Sequence, residues 1–277
     1  MIDISKIDYS KFDRPEILMF LFHPRSEWRS SEGTGRFDDI LIPVEEGVEV
    51  GARFHRAEKG AANILFFHGN GEIVADYDDM GHLYTQMGIN FSPVDYRGYG
   101  KSTGRPTITA MMRDCHVIFD HVKEWLSGNS YDGPLIVMGR SLGSASALEL
   151  CSQYGSQIAG LIIESGFAYL APLLALLGIN TEILGLKEDE GLRNIEKIHA
   201  FHKPTLIIHA EYDHIIPYPE GQALYDASPA EDKRILMIPG ANHNDIFLHG
   251  MQDYMEAIGG LVNKASRPIG PGFALAP

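Results

Sequence analysis

Basic residues are scarce in this chain. Against 37 Asp and Glu there are 23 Lys and Arg, a formal net charge of −14 over 277 residues. Nucleic-acid binding needs a concentrated basic surface that neutralises phosphates. No run of Lys and Arg supplies one, so nucleic acid is excluded as the main partner. Cysteine is scarcer still, with only Cys115 and Cys151. They form no CxxC pair, and both fall in segments with helical spacing. That predicts two reduced, half-buried thiols and a reducing compartment. Long apolar runs are missing as well. A bilayer-spanning helix needs about 20 apolar residues, and the stretch 17–22 is far shorter. The first thirteen residues carry Asp3, Asp8 and Asp13 and lack the basic flank of a signal peptide. No stable membrane insertion and a cytoplasmic location are therefore expected, with 17–22 forming a short helix packed on the body. No internal repeat is visible.

What is present is ordinary for a soluble globular protein, with 44% hydrophobic and 22% charged residues. Residues 40–44 and 48–54 flank Glu45-Glu46-Gly47 and read as a β-hairpin. From there short, continuously apolar runs alternate with helix-length segments. The runs are 63–67, 90–95, 135–138, 158–163, 205–208 and 234–238. Strands covered on both faces have this composition. Between them, 109–126 and 144–154 show helical spacing. The alternation predicts an α/β fold with a mostly parallel central sheet and helices on both faces. The expected organisation is a single domain over 1–277. Its one long connection, 167–203, has an apolar first half and a charged second half, and reads as a small helical cap insertion. The Gly- and Pro-rich tail 266–277 has little core potential and is expected to be flexible.

The most informative motif is Gly139-Arg140-Ser141-Leu142-Gly143. It follows the run 135–138 and precedes a good helix opening at 144. G-x-S-x-G between strand and helix is a nucleophile elbow. Its glycines permit a sharp turn and close helix packing. Ser141 then sits at a helix N-terminus, where developing negative charge is favoured.

A serine hydroxyl is a poor nucleophile until a base takes its proton. In this strand–turn–helix arrangement the chain order is Ser, then Asp or Glu, then His. Asp213 lies just beyond the run 205–208, and His243 just beyond the last run. His243 is the candidate base, and Asp213 the candidate residue that orients it. Glu164 and Glu211 are rival acids. The loop His68-Gly69-Asn70-Gly71-Glu72 follows the first buried run, and its backbone could approach a substrate oxygen. The amides of Asn70 and Leu142 are the candidate oxyanion hole. No G-x-x-x-x-G-K-[ST] pattern suggests phosphate binding. Among the 12 histidines, His199, His202, His209 and His214 lie close in sequence, but no third carboxylate or thiol completes a metal site. They read as solvated surface, and no metal or cofactor is expected. The loop Asp95-Tyr96-Arg97-Gly98-Tyr99-Gly100-Lys101-Ser102 reads as structural, bracing neighbouring turns and the elbow.

Together these motifs, with Glu164-Ser165, Asp213-His214-Ile215-Ile216-Pro217 and Asn242-His243-Asn244, resemble the α/β-hydrolase superfamily. The resemblance is to its Bem46-like branch of small serine hydrolases, related to the depalmitoylating hydrolases of animals, and it covers roughly 63–248 in the right order. It implies ester or thioester hydrolysis by a Ser-His-Asp triad without cofactor, carried here by Ser141, His243 and Asp213. The animal enzymes are held on membranes by a lipidated, Cys-rich N-terminus. This chain has no cysteine before Cys115, so that location and palmitoyl-protein substrates are not implied. Related dehalogenases and epoxide hydrolases place Asp at the elbow, unlike this chain.

The expected function is a serine hydrolase that cleaves small-molecule carboxylic esters or thioesters through an acyl-enzyme. Its apolar cap residues Phe167, Leu170, Leu173, Leu174, Leu176 and Leu177 either line an acyl pocket or pack the cap onto the body. A serine peptidase or amidase of the same fold is one alternative, although such peptidases usually carry a larger cap. A non-catalytic binding protein on this scaffold is the other. Oligomeric state is not readable from the sequence.

Overall fold

The computed structural model describes residues 7–28, 37–186 and 191–267. Its framework is one eight-stranded sheet in the order β1-β2-β4-β3-β5-β6-β7-β8. The strands are Phe37–Glu45, Val48–His55, Asn63–Phe67, Asn90–Val94, Leu135–Arg140, Gly160–Glu164, Thr205–Ala210 and Lys233–Ile238. β1 and β2 form the expected hairpin, and β2 pairs antiparallel with β4. Every other neighbouring pair is parallel. The helices are α1 (Pro15–Leu21), α2 (Asp78–Gln86), α3 (Ile108–Gly128), α4 (Gly143–Tyr154), α5 (Leu170–Leu176), α6 (Asn194–His199), α7 (Tyr218–Ala227) and α8 (Ile246–Ala265).

Burial explains why the runs carry no polar alternation. All residues of β3, β4, β5, β6 and β7 are buried, because helices cover both faces. On one face α2 and α8 pack Tyr84, Ile246, Tyr254 and Ile258 against Phe66, Met138 and Ile208. On the other, α3 and α4 pack Phe119, Ala147 and Leu148 against Leu65, Val137 and Ile163. The short helix expected at 17–22 is α1, which buries Ile17 and Leu21. Both cysteines lie on helices, α3 and α4, and are free and fully buried rather than half-buried. Burial pushes both thiols up, which leaves them poor nucleophiles.

The structure shifts some boundaries. β5 runs on to Arg140 and β7 to Ala210, so both strands reach further toward the loops they feed. The connection from β6 to β7 carries α5 and α6, while residues 187–190 within it lie outside the described residues. So do residues 268–277, most of the tail expected to be flexible. No helix among the described residues is long and apolar enough to cross a membrane.

Candidate active site

The parallel strands all point their C-terminal ends the same way, and the loops leaving them meet there. Ser141 leaves β5 with φ +51°. A non-glycine residue in this left-handed region costs about 1–3 kcal/mol unless its surroundings enforce it. Here the enforcement is visible. The Ser141 N–H donates to the Glu164 carbonyl (2.8 Å), and Ser144 Oγ donates to the Ser141 carbonyl (2.6 Å). The flanking glycines are steric necessities. A Cβ on Gly139 would stand 2.3 Å from the Gly143 carbonyl, and one on Gly143 would stand 2.1 Å from the Phe67 carbonyl. The helix thus packs against β3 as well as its own strand.

The three residues expected to act together do meet. His243 Nδ1 lies 2.7 Å from Asp213 Oδ2, and His243 Nε2 lies 3.1 Å from Ser141 Oγ. A carboxylate only accepts, so Nδ1 carries the proton and Nε2 is left to accept from the serine hydroxyl. All three side chains are buried. The second Asp213 oxygen, Oδ1, accepts the N–H groups of Ile215 (3.0 Å) and Ile216 (2.8 Å). Burial alone would push the Asp213 carboxyl up. The hydrogen bond from His243, the His243 charge and the Ile216 N–H outweigh it and hold the carboxyl below its usual range.

The two rival acids sit elsewhere in the same network. Glu164 accepts from Arg140 Nε (2.9 Å) and from the Tyr254 hydroxyl (2.7 Å). Glu211 accepts the Gly240 N–H (2.8 Å) and so steadies the loop that carries His243. Both brace the site rather than touch the imidazole.

The amides of Asn70 and Leu142 find no acceptor among the described residues. Their neighbour Gly69 differs, because its N–H donates to Glu72 Oε2 (2.6 Å). The loop 95–102 is structural, but it braces the Asn70 loop and not the elbow. Tyr96 Oη donates to the His68 carbonyl (2.6 Å), Asp95 Oδ1 accepts the Val74 N–H (3.0 Å), and Tyr99 Oη donates to Asn70 Oδ1 (2.8 Å). Arg97 turns away to Asp114 on α3.

His199, His202 and His214 are exposed as expected, but His209 is fully buried at the end of β7. A central strand buried on both faces leaves it no route to solvent. Its Nε2 donates to the Ile216 carbonyl (2.7 Å) beneath Asp213. Among the described residues no group of three or more His, Cys, Asp or Glu could hold a metal ion.

Sequence reasoning gave no role to Arg140, the second residue of the elbow motif. Its guanidinium is buried and hydrogen-bonded through all three nitrogens. It donates to Glu164 Oε1 (2.9 Å), Glu72 Oε1 (2.5 Å), the His243 carbonyl (2.8 Å) and Asn244 Oδ1 (3.2 Å). One side chain therefore ties the elbow to the His243 loop and, through Glu72, to the Asn70 loop. A buried arginine in the variable slot of the motif was the available signal, but its partners are distant in sequence.

An apolar cavity of about 420 Å³ lies between α5 and the loop after β7, walled by Phe167, Leu173, Leu176, Ile215, Ile216 and Pro217. Two of these, Ile215 and Ile216, are the residues whose amides hold Asp213.

Known proteins resemble this chain in sequence and in fold. The family model described as serine aminopeptidase, S33, matches residues 58–185 and 190–262. Human alpha/beta hydrolase domain-containing protein 17B is 28% identical over 255 residues, covering 87% of this chain and 80% of the relative. An uncharacterized protein of Mycobacterium tuberculosis (strain CDC 1551 / Oshkosh) is 30% identical over 211 residues, 75% of this chain and 72% of that one. An esterase of Pyrococcus furiosus superposes with a TM-score of 0.69 at 18% identity, covering 87% of this chain and 98% of the other. That last likeness is one of fold. With most of the chain matched, from just before β3 into α8, the protein belongs to the α/β-hydrolase family described as serine aminopeptidase, S33, and is a hydrolase of that fold.

Proposed function

We propose that this hydrolase cleaves carboxylic esters or thioesters through an acyl-enzyme formed on Ser141. The observation that carries the reading is the unbroken chain Asp213 Oδ2–His243 Nδ1–His243 Nε2–Ser141 Oγ, at 2.7 and 3.1 Å. His243 takes the Ser141 proton as Oγ attacks the carbonyl carbon. Asp213 fixes the imidazole tautomer and favours the charged ring that results. The oxyanion is received by the Asn70 and Leu142 amides, which find no acceptor among the described residues. Losing one such donor costs about 2.7–4 kcal/mol of transition-state stabilisation. The imidazolium then protonates the departing alkoxide or thiolate, and water repeats the cycle on the acyl-enzyme.

The cavity beside the Asp213 loop supports an apolar acyl group as the part of the substrate held by the enzyme. Its walls are aliphatic and aromatic apart from Glu220, and the Glu220 carboxylate already accepts the Ala168 and Tyr169 amides (2.8 and 3.1 Å).

The family description raises aminopeptidase action as the second reading. An aminopeptidase needs a free carboxylate to hold the substrate's α-ammonium. Glu72, Glu164 and Asp213 each accept protein hydrogen bonds on both carboxylate oxygens, which supports esters and thioesters, whereas Glu211 and Glu220 accept through Oε2 and make the anilide assay the deciding one. The test is labelling by a fluorophosphonate, followed by rates on p-nitrophenyl esters, acyl thioesters and aminoacyl p-nitroanilides. Labelling that is lost in Ser141→Ala and faster ester than anilide turnover are expected. A wild-type protein that resists the probe defeats the serine-hydrolase reading. Anilide turnover that exceeds ester turnover moves the reading to the peptidase.

A further inference from the structure

The loop that carries Asn70 is short, contains two glycines and makes little backbone bonding of its own. Within it the Glu72 N–H reaches the Gly69 carbonyl at only 3.4 Å, beyond the normal range for a good N–H···O bond. Gly71 has φ +78°. Such a segment has wide conformational freedom, and a catalytic donor within it must be held by something else.

Much of the hold comes from the N-terminal segment, which precedes the matched family region by more than thirty residues. The His23 N–H donates to Asn70 Oδ1 (2.7 Å), and because an N–H can only donate, this sets the orientation of the Asn70 amide. Asn70 Nδ2 then donates to His23 Nδ1 (2.8 Å) and to the Phe20 carbonyl (3.4 Å). Arg25 Nε donates to the Gly71 carbonyl (2.7 Å), and the Arg25 guanidinium also pairs with Asp76 in the turn that follows the loop. Asn70 and its neighbour are thus gripped by residues 20–25 through both side chain and backbone. The Asn70 N–H is left without an acceptor among the described residues.

The segment itself is anchored independently of the His23 and Arg25 side chains. Ile17, Leu21 and Phe22 are buried. The Arg25 carbonyl accepts the Gly100 N–H (2.8 Å), the Glu27 N–H donates to the Gly100 carbonyl (3.1 Å), and the Glu27 carboxylate pairs with Arg53 (3.1 Å). His23 and Arg25 are exposed, so packing alone does not account for their contacts.

We propose that His23 and Arg25 are positioning residues for the oxyanion site: they hold Asn70 and Gly71 so that the Asn70 amide faces the reacting carbonyl. This rests on the serine-hydrolase reading of Ser141. The segment is then part of the catalytic apparatus, although it lies outside the family match.

The experiment is the double variant His23→Ala/Arg25→Gln in the full chain, beside His23→Ala, Asn70→Ala and their combination. Melting temperature, kcat and KM on a p-nitrophenyl ester, and the rate of fluorophosphonate labelling are measured. Exposed substitutions of this kind change stability little, so the melting temperature is expected to stay close to wild type. The expected result is a kcat about tenfold lower in the double variant, less than the 10²–10³ for complete loss of an oxyanion donor. KM should stay within about twofold of wild type, and probe labelling should slow in parallel, because the effect is confined to the transition state. In the Asn70→Ala background, His23→Ala should add almost nothing.

An unchanged kcat in the double variant overturns the proposal. So does a loss confined to KM, or a His23→Ala loss that is fully retained in the Asn70→Ala background. A wild-type protein that neither turns over esters nor takes the probe removes the hydrolase reading, and this proposal with it. A wild type that does both, with variants equal to it, removes this proposal alone.

Discussion

Replacing Arg140 by methionine keeps most of the side-chain volume and removes the charge that holds three loops together. The Arg140 side chain is 11% exposed, Glu164 6% and Glu72 23%. Removing one partner of a buried ion pair costs about 3–5 kcal/mol, because the remaining charges stay buried without compensation. Glu72 reaches some water and keeps bonds from the Gly69 N–H and the Tyr77 hydroxyl (both 2.6 Å), so the lower part of that range is expected. At about 2–4 °C per kcal/mol for a chain of this size, melting should fall by roughly 6–15 °C. Activity should fall further than stability explains. The His243 carbonyl and Asn244 both lose their donor, and a catalytic group displaced by 1 Å costs about 10²-fold. Arg140→Lys separates the two effects. An ammonium satisfies a carboxylate but lacks the planar fork that reaches Glu164, Glu72 and His243 at once. Arg140→Lys should therefore recover much of the melting temperature while kcat stays well below wild type. Thermal melts by circular dichroism and steady-state rates on a short p-nitrophenyl ester measure both. If Arg140→Met melts within 2 °C or so of wild type with kcat intact, the account of Arg140 as the tie between the loops is wrong.

Three further outcomes follow from the same geometry. Ser141→Ala should lower ester turnover by about 10⁶ and Asp213→Asn by about 10⁴, by analogy with other triads; full activity in Asp213→Asn would move the orienting acid elsewhere. Leu173→Trp, which fills the cavity under α5, should slow octanoyl esters while sparing acetyl esters, and equal slowing of both would detach the cavity from acyl binding. Acid stability is the third. Burial would push the Glu149 carboxyl up, but bonds and charge from His116, Lys197 and Tyr9 hold it below its ordinary value, and Asp213 is likewise lowered. A carboxyl lowered on folding contributes stability above its unfolded value of about 4 and loses it as pH falls through the folded one. The urea midpoint should thus be flat above about pH 5 and fall below about pH 4. Glu149→Gln should shift the whole curve down and make its acid slope shallower; an unchanged slope refutes the assignment.

The parts of this molecule that the sequence made legible are those fixed by local rules. Continuous apolar runs marked the buried strands, because two covered faces leave no place for polar alternation. The elbow was readable because its five-residue pattern lies between an apolar run and a helix opening, and the steric reason at Gly139, the Gly143 carbonyl, acts within those five residues; the reason at Gly143, the Phe67 carbonyl of β3, appears only in the fold. Asp213 and His243 were readable from chain order, since parallel strands deliver their loops to one edge. What escaped depends on partners distant in sequence. Arg140 fills a variable slot, and only the fold shows that Glu72, Glu164 and His243 surround it. The burial of His209 escaped for a related reason. A histidine at the end of an apolar run looks like the start of a solvated loop until the two further residues of β7 are seen to be covered. The loop 95–102 was recognised as a brace, but the identity of what it braces required the return of β4 beside β3.

These long-range partners decide which backbone amide the loop after β3 can offer. Of the two residues that follow His68, Gly69 has already given its N–H to Glu72 (2.6 Å), and Glu72 is held in turn by Arg140 (2.5 Å). The Asn70 N–H finds no acceptor among the described residues, because its side chain, not its backbone, makes the contacts to His23, Phe20 and Tyr99. The loop is thus gripped from beneath through a carboxylate and from outside through a carboxamide, and the Asn70 N–H between the two grips is the donor proposed above to meet the oxyanion. The choice of Asn at 70 follows from this. An aspartate would accept from His23 N–H and Tyr99 as well, but it could not donate back to His23 Nδ1 or to the Phe20 carbonyl, and it would set a negative charge beside the proposed oxyanion site.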